Sequence, residues 1–392
     1  MSGTIDAETF EQLRETVRRF THERLIPNEE RVEHDDDIPA EIVQEMRDLG
    51  LFGLSIPEEY GGLGLTMSQE AQVIVELCQA SLAFRSLIGT NVGIGAQGLV
   101  MDGTPEQKEA YLPRLASGEI IASFALTEPD AGSDAGSIRT TAKRDGDDFI
   151  VNGTKRFITN ATRAGMFTLM ARTNSDEKGA AGITAFAVPA DTAGIRLGKP
   201  DKKMGQKGTR TCDVIFEDMR IPASCIIGGP QNENRGFKTA MKVLDRGRIH
   251  VSAMAIGSAQ RMINEALGYA VERKQFGQPI AEFQLVQAML ADSKTEHAAA
   301  KALMMNAAET LDRDGAAIML ASCSKYFATE MAGRVADRAV QIHGGAGYMA
   351  EYPVERLYRD IRLLRIYEGT SQIQQLIIAR NMIKQQQRGE PV

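Results

Sequence analysis

The chain has 392 residues, 43% of them hydrophobic and 25% charged, with a formal net charge of -7. A single core stops growing comfortably well below this length, so two or three domains are expected, and the composition excludes a largely disordered chain. The acidic balance offers no general field for a nucleic-acid backbone or an anionic membrane, so a polyphosphate ligand must be met by local groups.

The opening MSGTIDAETFEQLRETVRRF carries acidic residues throughout and lacks the basic start and apolar core of a signal peptide. No apolar run reaches transmembrane length, and Cys78, Cys212, Cys225 and Cys323 form no C-x-x-C pair or metal spacing. A reduced, cytoplasmic setting is the expectation.

From Glu8 to about Leu54, Phe10, Leu13, Val17 and Phe20, then Ile42, Val43, Met46 and Leu49, recur at helical steps. Pro27 and the acidic run before Pro39 interrupt them. Pro39 is placed to open a second helix, and Gly50 fits its end. Gly61, Gly62 and Gly64 mark a loop, after which helical periodicity resumes from Ser68 to about Ala116.

Around Glu119 the pattern changes to short runs rich in Ile, Val, Phe and Thr: IIASFALTEP, DDFIVNGTKRFITN, MFTLMART, GITAFAVPA and CDVIFEDMRIP. These read as strands. Asn152-Gly153 predicts a hairpin turn between two of them, because both residues tolerate positive φ. After Gly236 long helical patterns return and run to a polar tail, QQQRGEPV, expected to fray. The fold class is therefore α+β: an N-terminal all-α domain over 1–119, an antiparallel β domain over 120–235, and a C-terminal α-helical domain over 236–392.

FALTEPDAGSD, at 124–134, ends a strand in a turn that exposes amides and a hydroxyl. Taken alone, it reads as a surface turn. Four more segments follow in order: FITN at 157–160, ERKQFGQPI at 272–280, QIHGGAGYMAEYPVERLYRD at 341–360 and RIYEGTSQIQ at 365–374. Together, and across essentially the whole chain, they resemble the acyl-CoA dehydrogenase family, whose C-terminal domain is a four-helix bundle.

The resemblance implies α,β-dehydrogenation of an acyl-CoA thioester, with FAD accepting the β-hydride while a carboxylate removes the α-proton. Glu368 in IYEGT matches that base; from local sequence alone it is a helix-start acid. Its backbone N–H matches a donor to the thioester carbonyl. Phe124, Leu126, Thr127, Gly132, Ser133, Phe157, Ile158 and Thr159 match segments lining the flavin ring. Phe157 and Phe124 stand where some relatives carry Trp and Tyr, so aromatic packing is kept and two polar hydrogens are lost.

The same resemblance implies a homotetramer, a dimer of dimers in which a neighbouring subunit helps to hold FAD. Arg273, Gln275, Phe276, Gln284, Gln341, Gly344 and Gly345 match those positions, and Thr370 and Gln372 match further flavin contacts. Ser133, Asp245, Arg248 and Gly369 match substrate-binding positions, the first three near the CoA arm. His343 reads as a packing residue. The implied electron acceptor is an electron-transfer flavoprotein.

Arg85, in SLAFRSLIG, lies in an apolar stretch and resembles the Y-R-S segment of glutaryl-CoA dehydrogenases, where an Arg receives the distal carboxylate of a dicarboxylyl chain. Cys78 stands where those relatives have a Glu near the Arg, which sets decarboxylation in doubt. The alternative is that Arg85 pairs with a protein carboxylate or reaches solvent. Three other functions stay open on sequence: an acyl-CoA oxidase, a desulfinase-type flavin lyase of the same fold, and a non-enzymatic acyl-CoA binder.

Overall fold

The computed structural model describes residues 5–177 and 179–390, in the order helices, sheet, helices. The first group comprises α1 (Ala7–Phe20), α2 (Glu29–Asp35), α3 (Ala40–Asp48), α4 (Met67–Leu77), α5 (Leu82–Val92), α6 (Gln97–Asp102) and α7 (Pro105–Ala116). Side chains of Asp6, Thr66, Ser81 and Thr104 accept first-turn amides, and Gln69 and Gln107 complete capping boxes at α4 and α7. Pro39 immediately precedes α3, as its position in the sequence predicts. Helix α5 differs from the rest in being buried on every side, Arg85 included.

The sheet comprises β1 (Ile121–Ala125), β2 (Thr141–Asp145), β3 (Asp148–Thr159), β4 (Ala164–Arg172), β5 (Ile183–Pro189), β6 (Ile195–Leu197) and β7 (Thr211–Pro222). Its strand order is β1-β4-β2-β3-β7-β6, with β5 paired to β4. Most pairings are antiparallel, as expected; β1 runs parallel to β4, with Ser123 opposite Phe167, and β2 meets β4 in the same sense. The hairpin predicted at Asn152-Gly153 is not there. Both residues lie inside β3, and the turn falls at Gly146-Asp147, between Asp145 and its partner Asp148. Gly153 serves a register shift against β7, at a point where a Cβ would come within 2.5 Å of the Thr140 hydroxyl.

The last group is α8 (Gly236–Glu272), a small hairpin of β8 (Lys274–Gln275) and β9 (Gln278–Pro279), then α9 (Gln284–Asp314), α10 (Ile318–His343), α11 (Pro353–Ile361) and α12 (Ser371–Arg388). Helices α8, α9 and α10 pack on one another, α12 packs on α10, and α4 crosses over to α8 and α9. The shared core is dominated by Ala and Met, among them Met254, Met262, Met304 and Met331. Small residues let the helices approach closely, and Met fills irregular gaps. The polar tail expected to fray stays helical through Arg388; Pro391 and Val392 lie outside the described residues. Among the described residues no helix is long and apolar enough to cross a membrane.

Candidate active site

The loop between α11 and α12 carries Glu368, and its backbone is held in an uncommon conformation. Glu368 has φ 52° and Gly369 has φ 88°, so a non-glycine residue sits in the left-handed region just before the helix cap. Three side chains hold it there. Thr370 caps α12 by accepting the Ile373 amide, buried Gln374 donates to the Glu368 and Gly369 carbonyls at 3.1 and 3.0 Å, and Lys325 of α10 donates Nζ to the Gly369 carbonyl at 2.7 Å. Strain of this kind persists only where the surroundings over-determine it.

Glu368 as a residue is half-buried, but its Oε2 is fully enclosed and has no hydrogen-bond partner among the described residues. The oxygen lies over Gly247 of α8, where a Cβ would approach it to 2.0 Å. Burial pushes the carboxyl above the ordinary carboxylate range, while Arg85, Lys325 and Arg248 pull it back. Burial likewise lowers Lys325, to about 8. A carboxyl group whose affinity for a proton is raised, with one oxygen unengaged, is suited to take a proton from a substrate. Nothing among the described residues accepts from the Glu368 backbone N–H.

Two of the residues expected near a CoA arm gather here. Buried Arg248 pairs with Asp245 one turn away on α8 and also faces Glu368. Ser133, by contrast, is exposed on the turn after β1, as is Gly132. Arg85 is nine-tenths buried and meets no carboxylate directly: its Nη2 lies 3.0 Å from His250 Nδ1. Cys78 gives it no charge, because burial holds that thiol neutral, up to about 12.

The β residues expected around a flavin ring form a second group. The Thr127 carbonyl accepts the Arg156 amide at 2.7 Å, and the Ser123 hydroxyl donates to the Thr159 carbonyl at 2.8 Å, tying the turn after β1 to the end of β3. Phe124 is half-buried and Leu126 and Ile158 are buried. Phe157 has φ 58° and is 58% exposed, with the Arg156 guanidinium 5.0 Å from its ring centre. Buried Lys155 anchors the segment by donating to the Leu126 carbonyl at 3.0 Å and to Glu128 at 2.7 Å. Glu128 in turn accepts the Arg139 and Thr140 amides. An apolar residue held open to solvent at the cost of positive φ fits a ligand that stacks on it.

The third group is remote. Arg273 caps the far end of α8, and at about 1.5 Å per residue roughly 39 Å of helix separate it from Gly247. Gln341, Gly344 and Gly345, at the end of α10, belong to the same end, since His343 stacks on Tyr269 of α8 with ring centres 4.3 Å apart. That stacking, with an Nδ1 contact of 2.8 Å to the Ala339 carbonyl, confirms His343 as a packing residue. Gln275, Phe276 and Gln284 are exposed there too, Phe276 to 94% at φ 50°. Within one chain these residues do not converge on Glu368. Thr370 and Gln372 lie beside it in sequence, at the start of α12.

The sequence reading missed Gly247, Lys325, the Lys155–Glu128 pair, and Glu70 with His250. Gly247, Lys325 and Glu70 left a faint signal, a glycine or a charge inside a helical pattern, whereas Glu128 lies in the turn after β1 and left none. A cleft lined by Arg31, Asp35, Asp37, Arg47 and Arg163 shares no residue with the Glu368 cluster. No group of residues among those described has the makings of a metal site.

Fold and site together define a helix–sheet–helix protein with an enclosed, unpartnered carboxyl group where the loop 366–370 meets α8. Models of the acyl-CoA dehydrogenase N-terminal, middle and C-terminal domains match residues 7–119, 123–219 and 234–383. The chain is 44% identical to a 3-(aryl)acrylate reductase of Clostridium sporogenes over 96% of its own length and 99% of that protein's. Butyryl-CoA dehydrogenase from Megasphaera elsdenii superposes with a TM-score of 0.92 at 33% identity, over 98% of this chain and 100% of that one. A glutaryl-coenzyme A dehydrogenase in complex with glutaryl-CoA also superposes with a TM-score of 0.92, at 32% identity, over 98% of this chain and 97% of that one. This chain belongs to the acyl-CoA dehydrogenase family, oxidoreductases acting on the CH–CH bond of an acyl-CoA.

Proposed function

We propose that the protein oxidises the α,β bond of an acyl-CoA thioester to the trans-2-enoyl-CoA, with Glu368 taking the α-proton. The observation that carries this is the enclosed, unpartnered Oε2 of Glu368 over Gly247, on a carboxyl group made more basic by burial. Glu368 N–H, free of any acceptor among the described residues, would donate to the thioester carbonyl as negative charge grows there. Asp245 and Arg248 would orient the CoA arm.

The residues present fit FAD. Phe157 offers an open aromatic face, the Thr127 and Thr159 segments are braced by hydrogen bonds, and a Cβ built at Gly344 or Gly345 meets open space, leaving backbone exposed for close approach. Bound FAD would supply the hydride acceptor. Phe124, Leu126, Thr127, Gly132, Ser133, Phe157, Ile158, Thr159, Thr370 and Gln372 would hold it from one chain. Arg273, Gln275, Phe276, Gln284, Gln341, Gly344 and Gly345 would come from a neighbour, since Arg273 lies roughly 39 Å along α8 from Gly247 and Gln341 roughly 24 Å along α10 from Lys325. That separation supports an oligomer, with a homotetramer as the family expectation, and an electron-transfer flavoprotein would reoxidise the flavin.

Arg85 favours an acyl chain ending in a carboxylate, because a buried guanidinium with no carboxylate in direct contact is costly until an anion meets it. The same residues serve the reverse reaction by microscopic reversibility, and the name of the Clostridium relative, a reductase, keeps that direction in view. The test is an anaerobic titration of the purified protein with straight, branched, aromatic and dicarboxylyl CoA thioesters. Bleaching of bound flavin with formation of a 2-enoyl product supports the reading. A colourless protein that cannot be reconstituted with FAD, or a product lacking the new double bond, overturns it; rapid peroxide formation in air would identify an oxidase instead.

A further inference from the structure

His250 lies four residues beyond Arg246 on α8, so the two share a face, and that face meets α4 and α5. Arg85 of α5 folds back along its own helix over Gly89, where a Cβ would sit 2.6 Å from Nη1, and its tip reaches His250 Nδ1 at 3.0 Å. On the other side of the ring, His250 Nε2 is 3.1 Å from Glu70 Oε2, and Arg246 also binds that oxygen. Glu70 and His250 are wholly buried.

The chemistry of these groups fixes the proton. A guanidinium only donates, so Nδ1 of His250 must accept, and a neutral ring then carries its proton on Nε2, which lies 3.1 Å from Glu70 Oε2 without closing a hydrogen bond to it. Burial opposes the charge on Glu70, and the Arg246 guanidinium bound to it favours the ionised carboxylate. Burial also pushes His250 below its usual range, consistent with a neutral ring.

Arg85 has a second acceptor nearby, because Glu368 Oε2 lies over Gly247, three residues before His250 on α8. Among the charges facing Glu368, which are Arg85 of α5, Lys325 of α10 and Arg248 of α8, Arg85 stabilises the ionised carboxylate most. Yet Glu368 Oε2 has no partner, and Arg85 bonds His250 instead. A closed Arg85–Glu368 ion pair would leave the base protonated less readily and occupy both groups.

We propose that His250, its ring lying between Arg85 and the Glu70 carboxylate, is a positioning residue that keeps Arg85 from closing onto Glu368, leaving the base and the guanidinium both open to substrate. This rests on the reading of Glu368 as base and Arg85 as the receptor for a distal anion, and adds the device that keeps the two apart.

The test is the pH dependence of anaerobic flavin reduction in the flavin-loaded protein, where the rate rises with pH as the base deprotonates. In His250→Leu, Arg85 turns to Glu368, the rising limb moves about one unit to lower pH and the plateau falls about tenfold. His250→Asn, whose amide oxygen takes the place of Nδ1, restores the parental limb. Glu70→Gln shifts the limb in the same direction by less, and serves if the leucine variant does not retain flavin. In Arg85→Met/His250→Leu the limb matches Arg85→Met alone. A limb unchanged in His250→Leu, unrescued by His250→Asn, or equally shifted with Arg85 absent overturns the proposal. If the limb survives in Glu368→Gln, the base assignment itself has failed; if it is lost there but indifferent to His250, only the positioning role has failed.

Discussion

Glu368 Oε2 rests so close over Gly247 that a single methyl group on that glycine would come 2.0 Å from it. Glycine inside a helix costs about 1 kcal/mol relative to alanine. Its presence in the middle of α8 is explained by the room it leaves for the carboxylate.

Replacing Gly247 with Ala should therefore separate stability from chemistry. The helix gains propensity, while Glu368 is pushed out of its niche. Stopped-flow flavin reduction is expected to slow by roughly 100-fold, the scale of a displaced general base, with bound flavin retained. An unaltered rate would show that the carboxylate does not work from this position.

Arg85→Met should change selectivity more than rate. Losing a buried charged partner costs at least about 2 kcal/mol, or roughly 30-fold in affinity. The KM for a dicarboxylyl-CoA is expected to rise by that factor, with little change for a monocarboxylyl ester of equal length. Equal effects on both esters would remove the case for a distal carboxylate.

Asp360 predicts a pH dependence of stability. Burial raises this carboxyl from its ordinary value to about 7, although it accepts the Gln206 amide. A raised value means the folded state holds the proton more tightly than the unfolded one, so the contribution is complete at low pH and is lost as pH rises through about 7. Asp360→Asn, which still presents an acceptor to Gln206, should flatten that loss. Denaturant unfolding of both proteins from pH 4.5 to 7.5 checks it, with the variant expected to gain on the parent by a few kcal/mol across the range. Parallel curves would contradict it.

The exposed hairpin end supplies a test of assembly. Phe276, 94% exposed at φ 50°, packs edge-on against Phe283 with ring centres 6.0 Å apart and leaves most of its surface bare. Phe276→Ser should weaken subunit association and flavin retention together, seen as a smaller mass and a lower absorbance ratio on gel filtration. Loss of flavin with unchanged mass would limit Phe276 to a ligand contact.

Much of this was legible in the sequence. Helical and strand periods separate the chain into α, β and α because burial on one face imposes them, whereas Glu368 stood out only through the resemblance carried by five ordered segments and not through its local sequence. Asn152-Gly153 misled because its turn chemistry also suits a register shift inside a long strand, where close approach to Thr140 requires glycine. The environment of Glu368 was hidden for another reason. Gly247, His250, Lys325 and Glu70 come from three helices, and only packing brings them within reach of Arg85 and the loop 366–370. Arg85 itself was noticed as a charge among apolar residues; that its partner is a histidine lying between it and Glu70 follows from geometry alone.

The central claim is that Glu368 removes the α-proton, and the most direct measurement is anaerobic flavin reduction by a reactive acyl-CoA in Glu368→Gln against the parent. The variant keeps the shape of the side chain and sheds a buried, proton-hungry acid, so it is expected to fold, to bind flavin, and to be at least as heat-stable at neutral pH. Its reduction rate is expected to fall by about 1,000-fold, within the range for loss of a positioned base. A Glu368→Gln protein that bleaches at the parental rate would contradict the account.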